Sequence, residues 1–379
     1  MAPCSRRVAV AAAFLVLLPA RGDVPGTTRD VAPGVVFRSM ERPGPLRIFV
    51  VEADLAKVDA ELALSGGDLL GSAKLSRIVG ESSGRGSKIL AAINADYFEP
   101  DGTPVGLTIP AGEVAATSNR PHWDAFFFDA DGRGLVARAG AAPTAALPGA
   151  PPVPAAVNRP PADNGLALFT RRFGADTKSE PGVVEATLAG DAFPLEEDET
   201  LTARVTAVSE AGKTPIPENG AVLTARGTAA DALRKLKPGD AVTLALDQPG
   251  VTRARFGVGG GPAIVHGGKA LSEAEMAERR MKKGFVQARN PRTAIGWAKG
   301  KLVLVVADGR SKESVGIDLP DLAALMISLG CTEVLNLDGG GSTSMWIDGA
   351  GIVNTPSDKN KEGKNIERSI ADAILIRAR

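Results

Sequence analysis

Short apolar runs that end in polar residues recur along the chain and predict many strands. Residues 46–54, 89–93 and 302–306 form apolar segments that are too short for typical helices. Residues 58–64 alternate apolar side chains with charged or small ones, which is the pattern of a half-buried strand. The pattern therefore favours a protein built largely on β-sheet.

Helical periodicity is strongest in one place. Leu322, Leu325, Met326 and Leu329 recur at helical spacing, and the segment ends at Gly330. Asp318-Leu-Pro320 in front of them is a good helix start, with the aspartate as cap and the proline in the first turn. Weaker patterns predict shorter helices over residues 73–79, 229–236 and 273–283.

The order of these elements predicts an α+β fold: a mixed β-sheet core with flanking helices and a strand-rich insertion in the middle of the chain. Aromatic residues are only 4% of the sequence, whereas Gly numbers 44 and Pro 27, which points to many turns. Residues 302–336 read as strand, helix and strand, and resemble a β-α-β unit.

The domain organisation predicted from composition has two parts after the amino terminus. Residues 23–84 form a strand-rich segment that packs on a catalytic domain of residues 85–379. Within that domain, residues 140–255 are predicted to be a linker and an inserted subdomain, because residues 140–164 are rich in Ala and Pro.

The amino terminus resembles a secretory signal peptide over residues 1–22. Arg6 and Arg7 precede an apolar stretch too short to span a bilayer, and small residues follow near Gly22. We therefore expect an exported protein, periplasmic or extracellular, with no stable membrane span after cleavage. An uncleaved anchor is the alternative.

Charge and cysteine content exclude several classes of function. Lys+Arg and Asp+Glu both total 44, so no global field recruits nucleic acid, and an anionic ligand must be held by local arginines. Cys331 is alone after the predicted signal, which leaves no internal disulfide. We interpret Cys331 as a buried apolar residue rather than a nucleophile, because both histidines lie in unrelated contexts.

The strongest candidate for chemistry is the segment after residues 333–337. This apolar run ends in Asp338, followed by Gly339, Gly340 and Gly341 and then by Ser342 and Thr343. A strand that delivers a carboxylate into a glycine loop suits an active site, since the backbone can turn sharply and a ligand can approach it closely. A plain glycine-rich hairpin is the alternative, and a phosphate-binding P-loop is disfavoured because no Gly-Lys-Ser/Thr follows.

Two further strands also end in polar side chains. Residues 89–93 lead into Asn94 and Asp96, and residues 302–306 lead into Asp308 and Arg310. If the strands before Asp308 and Asp338 run parallel, their tips open on the same side. Asp96 and Asp338 could face one another across a cleft, and Asp96 as a turn former is the alternative.

Taken in order, these segments resemble the phosphodiester glycosidase family over roughly residues 85 to 379. The resemblance is carried by Asn94-Ala-Asp-Tyr-Phe98, Gly259-Gly-Gly-Pro262, Arg292-Thr-Ala-Ile-Gly296, Val305-Val-Ala-Asp-Gly-Arg310, Leu335-Asn-Leu-Asp-Gly-Gly-Gly-Ser-Thr-Ser-Met345 and Glu367-Arg368. Ala95 departs from the glycine that is usual in the first block. The resemblance implies hydrolysis of a small or polymeric sugar 1-phosphodiester, which releases the sugar and leaves a phosphomonoester.

The resemblance also implies roles for individual residues. Asp338 is expected to act as nucleophile or base, with Asp96 or Glu367 as its partner, in keeping with the carboxylate pairs of glycosidases. Arginines hold a departing phosphate well because they bind it bidentately. The expected substrate-binding residues are Asn94, Arg292, Asp308, Arg310, Gly339, Gly340, Gly341, Ser342, Thr343 and Arg368.

Two other functions stay open at this stage. In a metal-dependent phosphodiesterase, Asp96, Asp308 and Asp338 would ligate a hard cation, although the His-rich pattern of dinuclear hydrolases is missing. We expect no required cofactor and keep a divalent cation as an option. A non-catalytic envelope module could instead bind a glycan or phosphoglycan through the same pocket.

Overall fold

The structure is a computed structural model that describes residues 26–139, 143–190, 200–245, 251 and 253–379. The predicted signal peptide over residues 1–22 lies outside these residues. Parts of the predicted 140–255 segment also lie outside them.

Strands dominate the described residues. The strands are β1 (Thr28–Ala32), β2 (Val35–Arg42), β3 (Leu46–Asp54), β4 (Val58–Leu64), β5 (Ala73–Lys74), β6 (Ile89–Asn94), β7 (Thr108–Ile109), β8 (Asp124–Asp129), β9 (Gly134–Arg138), β10 (Thr144–Ala146), β11 (Val153–Val157), β12 (Leu166–Thr170), β13 (Val184–Ala189), β14 (Thr200–Ser209), β15 (Gly220–Ala225), β16 (Ala241–Ala245), β17 (Ala254–Gly260), β18 (Ala263–His266), β19 (Lys269–Ala270), β20 (Arg292–Ala298), β21 (Lys301–Ala307), β22 (Glu333–Asn336), β23 (Met345–Ile347), β24 (Gly351–Ile352), β25 (Asp358–Lys359), β26 (Asn365–Ile366), β27 (Ser369–Ile370) and β28 (Asp372–Ala378). The α-helices are α1 (Leu75–Ser83), α2 (Thr228–Leu233), α3 (Glu273–Glu278), α4 (Lys283–Gln287) and α5 (Leu319–Ser328).

The strands form one large sheet, one barrel and several smaller sheets. The large sheet has eight strands in the order β1-β2-β3-β21-β20-β22-β18-β19, and neighbouring strands in it are antiparallel. A closed barrel contains β10-β11-β12-β15-β13-β14-β16. A five-stranded sheet, β24-β23-β6-β28-β4, and a four-stranded sheet, β7-β17-β8-β9, complete the main architecture.

The predicted α+β fold with flanking helices is therefore wrong. Strand accounts for 44% of the structure and helix for 13%. The charge-rich segment predicted as one helix over residues 273–283 is split into α3 and α4, with Arg280 between them in a left-handed conformation (φ 56°). Closing strands into a barrel pairs their edges with one another, which removes the need for covering helices that a mixed core implies.

The predicted helix after Asp318 is confirmed. It forms α5, and the Asp318 carboxylate accepts a hydrogen bond from the Asp321 N–H at 2.9 Å, which is the capping contact that the sequence indicates. Leu322, Leu325 and Met326 on this helix are buried in the main hydrophobic core with β20 to β22. Cys331, just after the helix, is buried as well.

The antiparallel strand β20 brings the ends of two other strands to one edge of the large sheet. β21 and β22 pair with opposite sides of β20, so they run parallel to each other, as the β-α-β interpretation required. Arg292 at the start of β20 is paired with Ala307 at the end of β21, and Ala294 with Asn336 at the end of β22. Arg292, Arg310 and Asp338 therefore lie at the same edge of this sheet.

The five-stranded sheet brings a second set of polar residues to the same region. Asn94 ends β6, which pairs with β28 near Asp372 and with β23 near Met345.

A separate apolar core fills the barrel. Among the described residues, none of the helices has both the length and the apolar character required to cross a membrane.

Candidate active site

Asp338 lies where the large sheet and the five-stranded sheet meet. Its backbone N–H donates to the carbonyl oxygen of Ala95 at 3.0 Å, and its carbonyl oxygen accepts from Asn94 Nδ2 at 2.7 Å. Asn94 Oδ1 in turn accepts from Thr293 Oγ1 at 2.8 Å and from the Ser344 N–H at 3.1 Å. Asn94 is thus a buried link between the two sheets, and it fixes the main chain of Asp338.

The side chain of Asp338 is half-buried and lies among hydrogen-bond donors and cations. Burial raises its pKa from 3.8 to about 6, although the Ser342 hydroxyl, the Gly339 N–H, Arg368 and Arg310 all lower it. The Gly339 N–H donates to Asp338 Oδ1 at 2.9 Å, whereas Ser342 Oγ is close to the carboxylate without a hydrogen bond of standard geometry. A carboxylate with a pKa of about 6 is mostly ionised at pH 7 and can act as a base or a nucleophile.

The three glycines allow other groups to approach the chain closely. A Cβ on Gly340, which has φ 62°, would lie 3.1 Å from both terminal nitrogens of Arg310, and a Cβ on Gly341 would overlap Asp358 and Arg368. The Gly339 and Gly340 N–H groups donate to Asp338 Oδ1 and to the Pro291 carbonyl, so both are already engaged within the chain. These glycines therefore make room for arginines beside Asp338.

Arg368 and Arg310 are the cations nearest to this carboxylate loop. Arg368 binds Asp358 through two hydrogen bonds of 2.8 and 3.0 Å, and this pairing raises its pKa. Arg310 donates to Asn290 Oδ1 at 3.3 Å from two of its nitrogens. Both guanidinium groups lower the pKa of Asp338, which places two positive charges close to its carboxylate.

Arg292 is buried at the start of β20. It donates to the carbonyl oxygens of Phe285 at 2.7 Å and Ala288 at 3.1 Å, and its guanidinium carbon lies 4.5 Å from the centre of the Phe285 ring. Burial lowers its pKa, and the nearby Tyr97 opposes that shift. Its Nε atom is buried without a hydrogen-bond partner among the described residues.

Two buried hydroxyl groups in the segment that follows Asp338 have no hydrogen-bond partner within the described part of the chain. They are Ser342 Oγ and Thr343 Oγ1, and both side chains are almost fully buried. Buried polar groups are nearly always hydrogen-bonded in native proteins, so such orphaned hydroxyls call for a specific explanation. A polar ligand held beside Asp338 would supply the missing partners.

Tyr97 and Asn336 belong to the site although they were not among the predicted site residues. Asn336 Nδ2 donates to Tyr97 Oη at 3.1 Å and to the Gly261 carbonyl oxygen at 2.7 Å. Burial raises the pKa of Tyr97, and the negative charge of Asp338 raises it further, so the phenol stays neutral near Asp338. Both residues lie inside the sequence blocks that carry the family resemblance. Their place in these blocks is the sequence feature from which a role in the site could have been predicted.

Asp96 is buried behind the site and is held by the backbone. Its carboxylate accepts from the Gly106 N–H at 2.6 Å and from the Tyr97 N–H at 2.7 Å. Burial and the neighbouring charge of Asp372 raise its pKa well above the usual range, while Arg159 opposes the shift. Both oxygens of Asp96 therefore accept a hydrogen bond from the backbone. This arrangement allows Asp96 to hold the segments of Tyr97 and Gly106 in position.

Asp372 is a second buried carboxyl group that sequence reasoning missed. Its Oδ1 accepts from the Asp96 N–H at 2.8 Å, while its Oδ2 is buried without a partner among the described residues. Burial raises the pKa of Asp372, and the charge of Asp338 raises it further. It opens the apolar strand β28, with no turn or glycine signal to mark it.

Glu367 and Asp308, two other predicted site residues, are engaged in contacts away from Asp338. Glu367 accepts from the Ser76 N–H at 2.9 Å and from Ser76 Oγ at 2.8 Å, in the first turn of α1. Asp308 Oδ1 accepts from Asn354 Nδ2 at 3.2 Å and from the Thr355 N–H at 2.9 Å, and burial raises the pKa of Asp308. Both side chains hold neighbouring segments together.

The predicted ligand set for a metal does not converge in the described residues. Asp96, Asp308 and Asp338 make the separate contacts given above, and no three His, Cys, Asp or Glu side chains in this part of the chain form a group that could hold a metal ion.

The chain matches the phosphodiester glycosidase family over residues 198–377. This range includes Arg292, Arg310, Asp338 and Arg368 and leaves out Asn94 and Asp96. The chain is also 40% identical over 75 residues to the human N-acetylglucosamine-1-phosphodiester alpha-N-acetylglucosaminidase, which corresponds to 20% of this chain and 14% of the human protein. The matches to curated relatives span only 13% to 14% of the length of those proteins.

Two solved structures share the fold over most of the chain. A hypothetical protein from Synechocystis aligns with a TM-score of 0.73 and 19% identity, covering 94% of this chain and 64% of that one. A candidate exported protein from Burkholderia pseudomallei aligns with a TM-score of 0.67 and 24% identity, covering 88% and 74% of the two chains. Residues 198–377, slightly less than half of the chain, therefore resemble the phosphodiester glycosidase family.

Proposed function

We propose that the protein hydrolyses a sugar 1-phosphodiester at the bond between the sugar and the phosphate. The observation that carries this proposal is the setting of Asp338: a half-buried carboxylate beside Arg310 and Arg368, followed in the chain by two orphaned hydroxyl groups. The family match over residues 198–377 supports the same reaction class. The name of the human relative makes an N-acetylglucosamine 1-phosphodiester the first substrate to test.

The reaction breaks the bond between C1 of the sugar and the bridging oxygen, and that oxygen leaves on the phosphate with the bonding electrons. Water supplies the oxygen that ends on C1. Asp338 either accepts a proton from this water or attacks C1 itself, in which case water later hydrolyses the glycosyl ester. The products are the free sugar and a phosphomonoester of the other alcohol.

Positive charge is the main requirement for the leaving group. A phosphomonoester carries developing negative charge, and planar guanidinium groups bind such oxygens bidentately. Arg310 and Arg368 lie beside the Asp338 loop and would hold the phosphate. The hydroxyl groups of Ser342 and Thr343 would donate hydrogen bonds to it. The neutral phenol of Tyr97 donates to the Gly261 carbonyl oxygen at 3.3 Å and borders the same site.

Asp96 would act as a positioning residue in this scheme. Its two oxygens bind the backbone N–H groups of Tyr97 and Gly106, so it orients the Tyr97 segment instead of meeting the sugar directly. Glu367 would likewise support Arg368 through its bond to α1. Asp338 is then the one carboxylate that faces the reacting carbon.

Incubation with an N-acetylglucosamine 1-phosphodiester in ¹⁸O-labelled water tests the proposal. Label must be read in the phosphomonoester, because the anomeric oxygen of a free sugar exchanges with water. We expect unlabelled phosphomonoester, since the bond between sugar carbon and oxygen breaks. Label in the phosphate would mean attack at phosphorus and would overturn the proposal.

The same incubation with and without a chelator separates the other functions. Unchanged turnover with a chelator present counts against the metal-dependent phosphodiesterase. Tight binding of several glycosyl phosphodiesters without any product would instead identify a binding module.

Export is part of the proposal as well. It is supported by the sequence pattern of residues 1–22, with its two arginines, short apolar stretch and small residues. Amino-terminal sequencing of the protein recovered outside the cytoplasm of a producing cell tests it, with a new terminus expected near Gly22 or Asp23.

A further inference from the structure

A cavity of about 200 Å³ lies beside the candidate active site. Tyr97, Trp123, Met281 and Phe285 supply its apolar and aromatic wall. The rings of Tyr97 and Trp123 meet edge to face, with their centres 5.2 Å apart. Such a wall suits a flat or apolar group, because aromatic side chains bury a large area and prefer this geometry with further rings.

This cavity adjoins the site around Asp338, because two of its lining residues contact residues of that site. Tyr97 accepts a hydrogen bond from Asn336, two residues before Asp338. Phe285 lies against the guanidinium group of Arg292 and accepts a hydrogen bond from it through its carbonyl oxygen. A substrate bound at Asp338 and extending past Tyr97 would therefore enter this cavity.

The remaining side chains of the cavity are basic. Arg280 and Lys282 line it, and neither side chain has an ion-pair partner among the described residues. His122, next to Trp123, shows how much positive charge collects here. Its pKa is lowered by partial burial and then by the charges of Arg280, Arg120 and Arg138.

The backbone of Arg280 adds a second observation. It follows α3 in a left-handed conformation with φ 56°, a position that usually selects glycine at the end of a helix. A non-glycine residue there costs some stability, and such costs are often retained where the side chain has a function. At this position the side chain of Arg280 places a positive charge at the wall of the cavity.

We propose that this cavity is the subsite for the leaving alcohol, and that it selects an apolar or aromatic group carrying a second negative charge. The inference rests on the proposed function, because it assigns the part of the substrate beyond the phosphate. Tyr97, Trp123 and Phe285 contact the body of this group, and Arg280 and Lys282 attract its charge. The preferred substrates are thus sugar 1-phosphodiesters of anionic alcohols.

Three synthetic substrates that share a phenyl group and differ in the charge of its 4-substituent test this proposal. They are N-acetylglucosamine 1-phosphate esterified with phenol, with 4-hydroxybenzoate, or with a 4-(trimethylammonio)phenol. We expect kcat/KM to fall in the order carboxylated, neutral, cationic. Replacing both basic residues (R280A/K282A) should lower the ratio of carboxylated to neutral substrate by about fivefold, as expected for two partly solvated ion pairs.

Comparing this ratio between wild type and variant cancels the intrinsic difference in reactivity between the esters, because that difference is the same for both proteins. A matched control, R226A/K235A, removes two exposed positive charges from the barrel region and should keep the wild-type ratio. The wild-type preference should also weaken with added salt, because these charges are exposed to solvent. An R280A/K282A ratio equal to that of the wild type would overturn the subsite proposal.

Failure of the proposed function gives a different result. In that case none of the three esters is hydrolysed, and binding measured by calorimetry takes the place of turnover. Tighter binding of the carboxylated ester, lost in R280A/K282A and kept in R226A/K235A, would still support the anionic subsite. Equal binding of the three esters would overturn it.

Discussion

The barrel and the edge of the large sheet differ in whether their buried polar groups are all hydrogen-bonded. Buried side-chain nitrogen and oxygen atoms without a hydrogen-bond partner among the described residues occur around the candidate site, in Arg292, Asn336, Ser342, Thr343 and Asp372, and elsewhere outside the barrel, in Thr108, Asp124, Asp308 and Ser357. None occurs in the described barrel residues, 144–190 and 200–245. Satisfied polar groups serve stability, whereas orphaned ones are kept where a ligand can complete them.

Glu185 and Asp338 show this difference for single carboxylates. Glu185 on β13 is fully buried and accepts hydrogen bonds from Ser179 Oγ, from Thr224 Oγ1, and from both the N–H and Oγ1 of Thr214. Asp338 receives one standard hydrogen bond to its carboxylate, from the Gly339 N–H. The first carboxylate is closed to any further partner, and the second keeps acceptor capacity for a reacting molecule.

The largest expected effect comes from removing the open carboxylate. Asp338→Asn should lower kcat/KM for a sugar 1-phosphodiester by about 10³-fold, because the amide can act neither as base nor as nucleophile. Steady-state kinetics measures the loss, and circular dichroism should show an unchanged fold. Asp131→Asn in the exposed turn between β8 and β9 is the matched control. Activity within tenfold of the wild type would remove Asp338 from the mechanism.

Removing the closed carboxylate should damage stability instead of chemistry. Glu185→Ala leaves several buried donors without an acceptor, and we expect a loss of about 3 kcal/mol in the free energy of unfolding. Denaturant titration measures it, and Glu185→Gln, which keeps the shape of the side chain and one of its two acceptor oxygens, should cost less. At a temperature where the variant is folded, kcat should match the wild type. A loss of turnover in stable protein would mean that the barrel takes part in the reaction.

The raised pKa of Asp338 also implies a cost in stability at neutral pH. Its folded-state pKa of about 6 lies above the unfolded value, so the contribution of this group to stability is fully present below about pH 4 and is lost as the pH rises through 6. Asp338→Asn should therefore be about 2 kcal/mol more stable than the wild type at pH 8, and no more stable at pH 3.5. Paired denaturant titrations at the two pH values measure this difference. Equal stability at pH 8 would contradict the raised pKa.

The smallest effect is expected at an orphaned hydroxyl group. Ser342 lowers the pKa of Asp338, so Ser342→Ala should move the acidic limb of the pH profile of kcat/KM to higher pH. Loss of one donor to a charged group should also lower kcat/KM at pH 7 by about tenfold, with little change in stability. Ser328→Ala, at the exposed last residue of α5, serves as a control. A profile that coincides with that of the wild type would exclude a role for Ser342.

Local signals in the sequence predicted individual elements and the segment around Asp338. The apolar runs became β3, β4, β6 and β21, and Asp318 caps α5, because each of these features depends on residues close together in the chain. The strand, helix and strand order left the relative direction of β21 and β22 open, and the structure shows that they run parallel. The roles assigned to the site residues remain predictions, although the structure brings Asn94, Arg310, Asp338 and Arg368 close together.

Features that depend on distant pairing could not be predicted in the same way. Barrel closure joins β10 to β16, about a hundred residues later, and no local pattern records this contact. Asp372 was missed for a related reason: it begins an apolar strand, and only the pairing of β28 with β6 brings it to the N–H of Asp96. The engagement of Glu367 with Ser76 likewise depends on residues far apart in the sequence.

Both backbone polar groups of Asp338 are bound to the end of β6, through Ala95 and Asn94. A residue followed by three glycines would ordinarily sample many conformations, but here the freedom of the glycines begins only after the carboxylate. The side chain can therefore be replaced without moving its attachment point. This makes position 338 a suitable anchor for installing altered nucleophiles in an otherwise unchanged cleft.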